Sequence, residues 1–138
     1  AHAQEHSLEV QVPFLQETLE TFSLVPVVVG EADPLRVRAA LERVWGGPET
    51  AIVISSDLSH YLDYATAQKT DQATSTAIAA LNSEGIGDDS ACGCLPLRGF
   101  LMAARNHGLR AETLDLRNSG DTAGPKDRVV GYGAYAFA

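Results

Sequence analysis

Apolar residues recur every three or four positions near the start of the chain, at Leu8, Val12, Leu15, Leu19 and Phe22. This spacing places them on one face of a helix that packs against a sheet. Pro13 restricts the helix, because proline lacks a backbone donor and disfavours helical geometry at the preceding residue. The helix therefore starts near Pro13 or is kinked there, and His6 lies at or before its N-terminal end.

Two continuous apolar runs are typical of strands buried on both faces. They are LVPVVVG, which ends at Gly30, and TAIVISS, which ends at Ser56. Between them, Asp33 is a helix N-cap and Pro34 occupies the first helical position. The pattern predicts two interior parallel strands joined by a helix that ends before Gly46.

The second half of the chain predicts two helices followed by two strands. The helices cover Ala65 to Leu81 and Leu95 to His107, and the strands cover Glu112 to Leu116 and Val129 to Phe137. The complete pattern predicts an α/β fold, a three-layer α/β/α sandwich with a mixed, mostly parallel sheet, and ligands bind beyond the carboxyl ends of such strands. Residues 1–138 are expected to form one unit. The opening AHAQEHSLEV, without an initiator methionine, suggests a fragment of a longer chain, and tag removal or processing is the alternative.

Composition excludes several classes of partner. The chain is 45% hydrophobic and carries a formal charge of −8, without a cluster of lysine and arginine. Nucleic acid and anionic membranes are therefore not expected partners, and the apolar runs are short for a membrane span. A bridge between Cys92 and Cys94 would be strained, so both are predicted to be reduced thiols in a cytoplasmic protein.

The stretch ISSDLSHY places polar chemistry at the end of a predicted strand. Asp57 and His60 are three residues apart, and an imidazole with a carboxylate serves as metal ligands or as a catalytic acid and base. In the alternative interpretation, the serines and Asp57 cap the next segment and His60 is a turn residue.

Cys92 lies just before a predicted helix, where positive potential favours a thiolate that could bind metal or attack an electrophile. Cys94 is more simply a small packing residue. His6 stands among polar residues at a helix entry, where it could bind metal or be a solvated helix end. His2 and His107 are interpreted as structural or incidental; His2 lies outside the residues that the structure describes.

Four segments together resemble the Memo-like family, also called AmmeMemoRadiSam system protein B. They are EHSLEVQVPFLQ, VISSDLSHY, ACGCLPLRGFLMAARNHG and LRNSGDTAGPKDRVVGYGAYAF, in that order. The resemblance implies a fold similar to the catalytic subunit of class III extradiol dioxygenases. It also implies iron or copper held by two histidines and a cysteine, with an Asp-x-x-His pair alongside. By motif, His6 and Cys92 are metal ligands, and Asp57 and His60 are nearby ligands or proton-transfer groups. The chain resembles only the carboxyl-terminal half of a Memo-like domain, and the other ligand histidine belongs to the part of the family's chain that is absent from this sequence.

The functional expectation is a non-haem iron or copper redox protein. Zinc is a further candidate metal, and no nucleotide cofactor is expected. Two alternatives use the same cleft: a non-catalytic module that binds a small molecule or a peptide, and a hydrolase with Cys92 as nucleophile. An uncovered sheet edge would favour a homo-oligomer or association with a missing N-terminal half.

Overall fold

A computed structural model describes residues 5–138. Its helices are α1 (Val12–Thr18), α2 (Pro34–Arg43), α3 (Tyr64–Ala79) and α4 (Cys94–Asn106), and its strands are β1 (His60–Leu62), β2 (Ala111–Asn118) and β3 (Val129–Phe137). Two short 3-10 turns cover Ser83–Gly85 and Ser119–Asp121. The α/β class is confirmed.

Local signals placed most helices correctly. The Asp33 carboxylate accepts a hydrogen bond from the Leu35 N–H, and Pro34 follows it as the first helical residue. Asp63 caps α3 in the same way, by accepting from the Thr66 N–H. These caps satisfy N–H groups that the first helical turn leaves unpaired, so the chain begins each helix where the sequence predicts. In contrast, α1 is shorter than its apolar pattern and ends at Thr18.

The prediction of a mostly parallel sheet is wrong for the described residues. Their three strands have the order β1-β3-β2, and both pairings are antiparallel. In the longer pairing, Leu116 lies opposite Gly133 and Asn118 lies opposite Gly131. β1 was not expected from the sequence, because its three residues continue directly from the polar segment at Asp57.

The two predicted parallel strands, residues 24–30 and 50–56, are not strands in the described part of the chain. Three of their valines are exposed instead, at 74% for Val25, 61% for Val27 and 52% for Val53. An apolar run becomes a strand only when a neighbouring strand pairs with its backbone N–H and C=O groups. Residues 5–138 place no such neighbour beside these runs, so the apolar pattern alone predicted more sheet than this chain forms.

Helices α3 and α4 pack against one face of the sheet, and α2 packs on α4. On that face the core includes Ile78 of α3, Phe100 and Leu101 of α4, and the half-buried Leu116 and Phe137 of the strands. Alternate residues of β3 point the other way, and Tyr132, Ala134 and Ala136 are exposed. The expected second layer of helices is therefore not seen among residues 5–138.

The segment that leads into β1 is held by the middle of β3. The Leu58 N–H donates to the Gly131 carbonyl at 2.9 Å, and the Gly131 N–H donates to the Ser59 carbonyl at 2.8 Å. Leu58 is 4% exposed and anchors this segment in the core. Asp57 and His60, on either side, are consequently presented at the edge of the sheet.

Across residues 5–138, the longest helices are too short and too polar to cross a bilayer.

Candidate metal centre

Asp57 and His60 face each other at the edge of the sheet. Nε2 of His60 lies 3.3 Å from Oδ2 of Asp57. Leu58 and Ser59, which lie between them, are buried. In contrast, the side chain of His60 is 36% exposed and that of Asp57 is 46% exposed. The backbone of this segment is therefore fixed, while its imidazole and carboxylate remain accessible to a ligand.

Cys92 is joined to Asp57 by two backbone interactions. The Asp57 N–H donates to the Cys92 sulfur at 3.2 Å, and the Cys92 N–H donates to the Asp57 carbonyl at 3.3 Å. Ser56 strengthens this junction, because its Oγ accepts from the Gly93 N–H at 2.8 Å and lies 3.6 Å from the Cys92 sulfur. The thiol is thus placed against Asp57 although 35 residues separate them along the chain.

Asp57, His60 and Cys92 form a group whose ligand atoms all lie within 4.8 Å of one another. Two ligands of one ion are separated by at most about 4.6 Å, twice a metal–sulfur bond of about 2.3 Å. Small side-chain rotations would therefore bring all three atoms onto one ion. A thiolate, an imidazole and a carboxylate suit iron, copper or zinc better than a hard cation such as Mg²⁺. The residues present fit a transition metal.

Gly93 permits the close approach of the thiol loop. A Cβ at this position would lie 2.8 Å from Ser56 Cβ and 3.2 Å from the Ser55 carbonyl oxygen. Ordinary carbon contacts are about 3.5–4.0 Å, so any larger residue would separate the two segments. The sequence Cys92-Gly93 is therefore required by space at the site.

His6 is not part of the three-residue group. Its Nδ1 lies 2.7 Å from Oε2 of Glu9, and this contact, with the negative charge of Glu9, raises the pKa of His6 above its usual value. As predicted, His6 precedes α1. The Gln11 side chain donates to Ser55 Oγ at 3.1 Å, which ties the start of α1 to the segment that precedes Asp57.

Cys94 and His107 make packing contacts with the rest of the fold. Both cysteines are free thiols, and Cys94 packs half-buried against the core. The His107 ring stacks on Trp45 with centroids 4.0 Å apart, and its Nε2 lies 2.7 Å from Glu42, whose pKa this hydrogen bond lowers.

The turn at Asn118 forms a capping box. Asn118 accepts from the Gly120 N–H, and Asp121 accepts from the Asn118 N–H. None of residues 118–121 belongs to the three-residue group.

Two residues behind the site were missed by sequence reasoning. Asp71 is 2% exposed in the middle of α3, and Gly131 of β3 lies against its carboxylate. The available signals were a charged residue on the inner side of an alanine-rich helix and a glycine inside a strand. Neither identifies a partner without the tertiary structure.

Comparison with known proteins agrees with the resemblance seen in the motifs. The family described as Memo-like protein matches residues 1–136. A MEMO1 family protein of Saccharolobus islandicus is 35% identical in an alignment of 150 positions that covers 99% of this chain and 53% of the relative. A MEMO1 family protein of Metallosphaera sedula is 31% identical, with 100% of this chain and 53% of the relative covered. The MEMO1 family protein of Methanopyrus kandleri is 35% identical, with coverages of 99% and 53%.

The chain spans about half the length of the curated relatives it matches. The match extends across nearly all of this sequence and includes the segments that carry His6, Asp57, His60 and Cys92. This chain belongs to the Memo-like protein family.

Proposed function

We propose that this chain supplies the metal-binding residues of a non-haem iron or copper redox protein. The observation that carries the proposal is the convergence of Asp57, His60 and Cys92 within 4.8 Å at an accessible edge of the sheet. Thiolate and imidazole ligands favour redox-active transition metals, and an exposed edge leaves room for a small substrate.

Each of the three residues has a distinct task. Cys92 and His60 hold the metal, since sulfur and neutral imidazole nitrogen are its strongest protein donors. Asp57 is a further ligand, or it orients the His60 ring and accepts a proton at Oδ2. The Asp57 N–H that donates to the Cys92 sulfur fixes the direction of the thiolate lone pairs. The metal, when bound, supplies Lewis acidity and one-electron chemistry toward a phenolic or other small substrate.

His6, which lies before α1, is proposed as a further metal ligand. To bind metal, its imidazole must exchange the contact with Glu9 for the ion. The tie between Gln11 and Ser55 keeps the following turn beside the site during this exchange.

Metal content tests the proposal directly. The full-length protein, purified with iron or copper, is measured by emission spectroscopy together with Cys92→Ser, His60→Ala, Asp57→Asn and His6→Ala. We expect the metal-to-protein ratio to fall sharply in Cys92→Ser and His60→Ala. Cys94→Ser is the matched control for the thiol, and it retains wild-type metal. Wild-type stoichiometry in both Cys92→Ser and His60→Ala would refute the assignment.

Turnover distinguishes a redox enzyme from a binding module. The iron- or copper-loaded protein should consume oxygen, or produce superoxide or peroxide, faster than the same concentration of free metal. A metal-loaded protein that matches free metal, yet binds a small molecule or peptide in the same cleft, would support the binding module instead.

A cysteine hydrolase is the second candidate, because the same group contains a thiol, an imidazole and a carboxylate. The 3.3 Å contact between His60 and Asp57 is the arrangement that orients a catalytic base. Among the described contacts, however, the Cys92 sulfur is bonded to Ser56 and to the Asp57 backbone rather than to His60. Stoichiometric labelling of Cys92 by iodoacetamide at mildly acidic pH, in metal-free protein with Cys94 unlabelled, would favour the hydrolase.

The exposed apolar runs are proposed to pair with further strands of the full-length protein. Val25, Val27 and Val53 expose more than half of their surface, which is costly for residues of this type in water. Slow amide hydrogen exchange at residues 24–30 in the full-length protein would support this association. Fast exchange there would indicate that the runs stay unpaired or serve contacts between copies.

A further inference from the structure

Asp71 is a buried carboxylate on α3 that lies behind the metal centre. Its side chain is 2% exposed, and Oδ1 accepts a hydrogen bond from the Ser59 N–H at 2.9 Å. Its other oxygen, Oδ2, is buried without a hydrogen-bond partner among the described residues. A buried, half-satisfied carboxylate costs free energy, so its presence calls for a reason other than packing.

The hydrogen bond that this carboxylate accepts comes from the segment that carries the site. Ser59 lies between Leu58 and His60, and its carbonyl accepts from the Gly131 N–H. Ser59 is therefore held from two directions, by α3 through its N–H and by β3 through its C=O. These two bonds fix the backbone that separates Asp57 from His60.

Gly131 provides the space that Asp71 occupies. A Cβ on Gly131 would lie 2.0 Å from Oδ2 of Asp71 and 2.5 Å from its Cγ. Such distances are far below carbon–oxygen contact, so a larger residue would expel the carboxylate from Ser59. The requirement for glycine at this position in β3 comes from the presence of the carboxylate.

We infer that Asp71 is a positioning residue for the metal centre: Oδ1 holds the Ser59 N–H and thereby sets the separation of the Asp57 and His60 side chains from the Cys92 sulfur. This inference rests on the proposed metal-binding function. Groups that orient metal ligands typically change affinity by about 10- to 100-fold when removed. Asp71 acts through the backbone, one residue before His60.

The test is a titration of the full-length protein with Co²⁺, whose sulfur-to-metal absorption reports coordination by Cys92. We expect Asp71→Ala to weaken Co²⁺ binding by roughly 10- to 100-fold. Asp71→Asn should bind close to wild type, since an amide oxygen can still accept from the Ser59 N–H. Thr74→Val is the matched control: Thr74 is also buried, lies three residues further along α3, and donates to the Thr70 carbonyl of its own helix.

Gly131→Ala tests the same contact from the opposite side. We expect it to weaken Co²⁺ binding as strongly as Asp71→Ala, because it displaces the carboxylate. In an Asp71→Ala background the added methyl meets no carboxylate, so Gly131→Ala should then cost little more. Additive losses in the double variant would overturn the inference, since they would show that the two residues act separately.

Amide hydrogen exchange of Ser59 in metal-free protein separates this inference from the proposed function. We expect exchange to be slow in wild type and Asp71→Asn, and fast in Asp71→Ala and Gly131→Ala, with Thr74→Val unchanged. If wild type shows this pattern but does not bind Co²⁺, the proposed function fails while the backbone contact stands. If Asp71→Ala keeps slow exchange of the Ser59 amide and binds Co²⁺ as tightly as Thr74→Val does, the positioning role is wrong.

Discussion

Replacing Gly93 with alanine should separate the thiol from the Asp57-His60 pair. The new Cβ would lie 2.8 Å from Ser56 Cβ, whereas ordinary carbon contact begins at about 3.5 Å. One segment must therefore move by about 0.7 Å. The ligand atoms already span up to 4.8 Å, close to the largest separation that one ion can bridge, so the displaced sulfur would no longer reach the ion without strain.

The magnitude follows from the cost of overpacking, about 1–3 kcal/mol. If metal binding must restore the original approach against this strain, affinity falls by about 5- to 150-fold. The assay is Co²⁺ titration of Gly93→Ala, with Gly30→Ala as control because a Cβ at Gly30 meets nothing within 4 Å. Adding Ser56→Gly removes the main clash and should recover part of the affinity. Wild-type affinity in Gly93→Ala would refute the spatial reasoning.

Three further predictions concern titration and the core. Glu9→Gln removes the partner that raises the pKa of His6, so NMR titration should show that pKa falling toward its usual value; an unchanged pKa would exclude Glu9 as the cause. Tyr64→Phe removes the phenol hydrogen bond that lowers the pKa of Asp121. Because the pKa of Asp121 is lower in the folded than in the unfolded state, its carboxylate stabilises the fold above the unfolded pKa, and this stability is lost as the pH falls through the folded pKa. Urea unfolding at a series of pH values should therefore show a smaller loss of stability in acid for Tyr64→Phe than for wild type. Identical pH profiles for the two proteins would contradict this prediction. Leu101→Ala, at a fully buried position, should lower the free energy of unfolding by about 2–5 kcal/mol in urea titrations, and a loss below 1 kcal/mol would mean that the site collapses around the smaller side chain.

Some of the site was predictable because its signals are local. Asp57 and His60 are three residues apart, so their proximity in the structure is a local property of the chain. The placement of Cys92 before a helix is also a local property, and α4 begins at Cys94. The sequence could not show that the Asp57 N–H donates to the Cys92 sulfur, since that contact joins segments 35 residues apart.

Local signals were sufficient to predict the helix starts, the two final strands and the family, and they singled out Asp57, His60 and Cys92, which the structure brings together. Caps, apolar periodicity and short motifs act within a few residues of one another, so they can be recognised without a fold. The relative directions of the strands, and the contacts that hold the segment between Asp57 and His60, depend on the tertiary structure. A strand needs a partner from another part of the chain, and the apolar runs at 24–30 and 50–56 lack one among residues 5–138. The buried Asp71 acquires its role only because α3 packs its carboxylate between Ser59 and a glycine of β3.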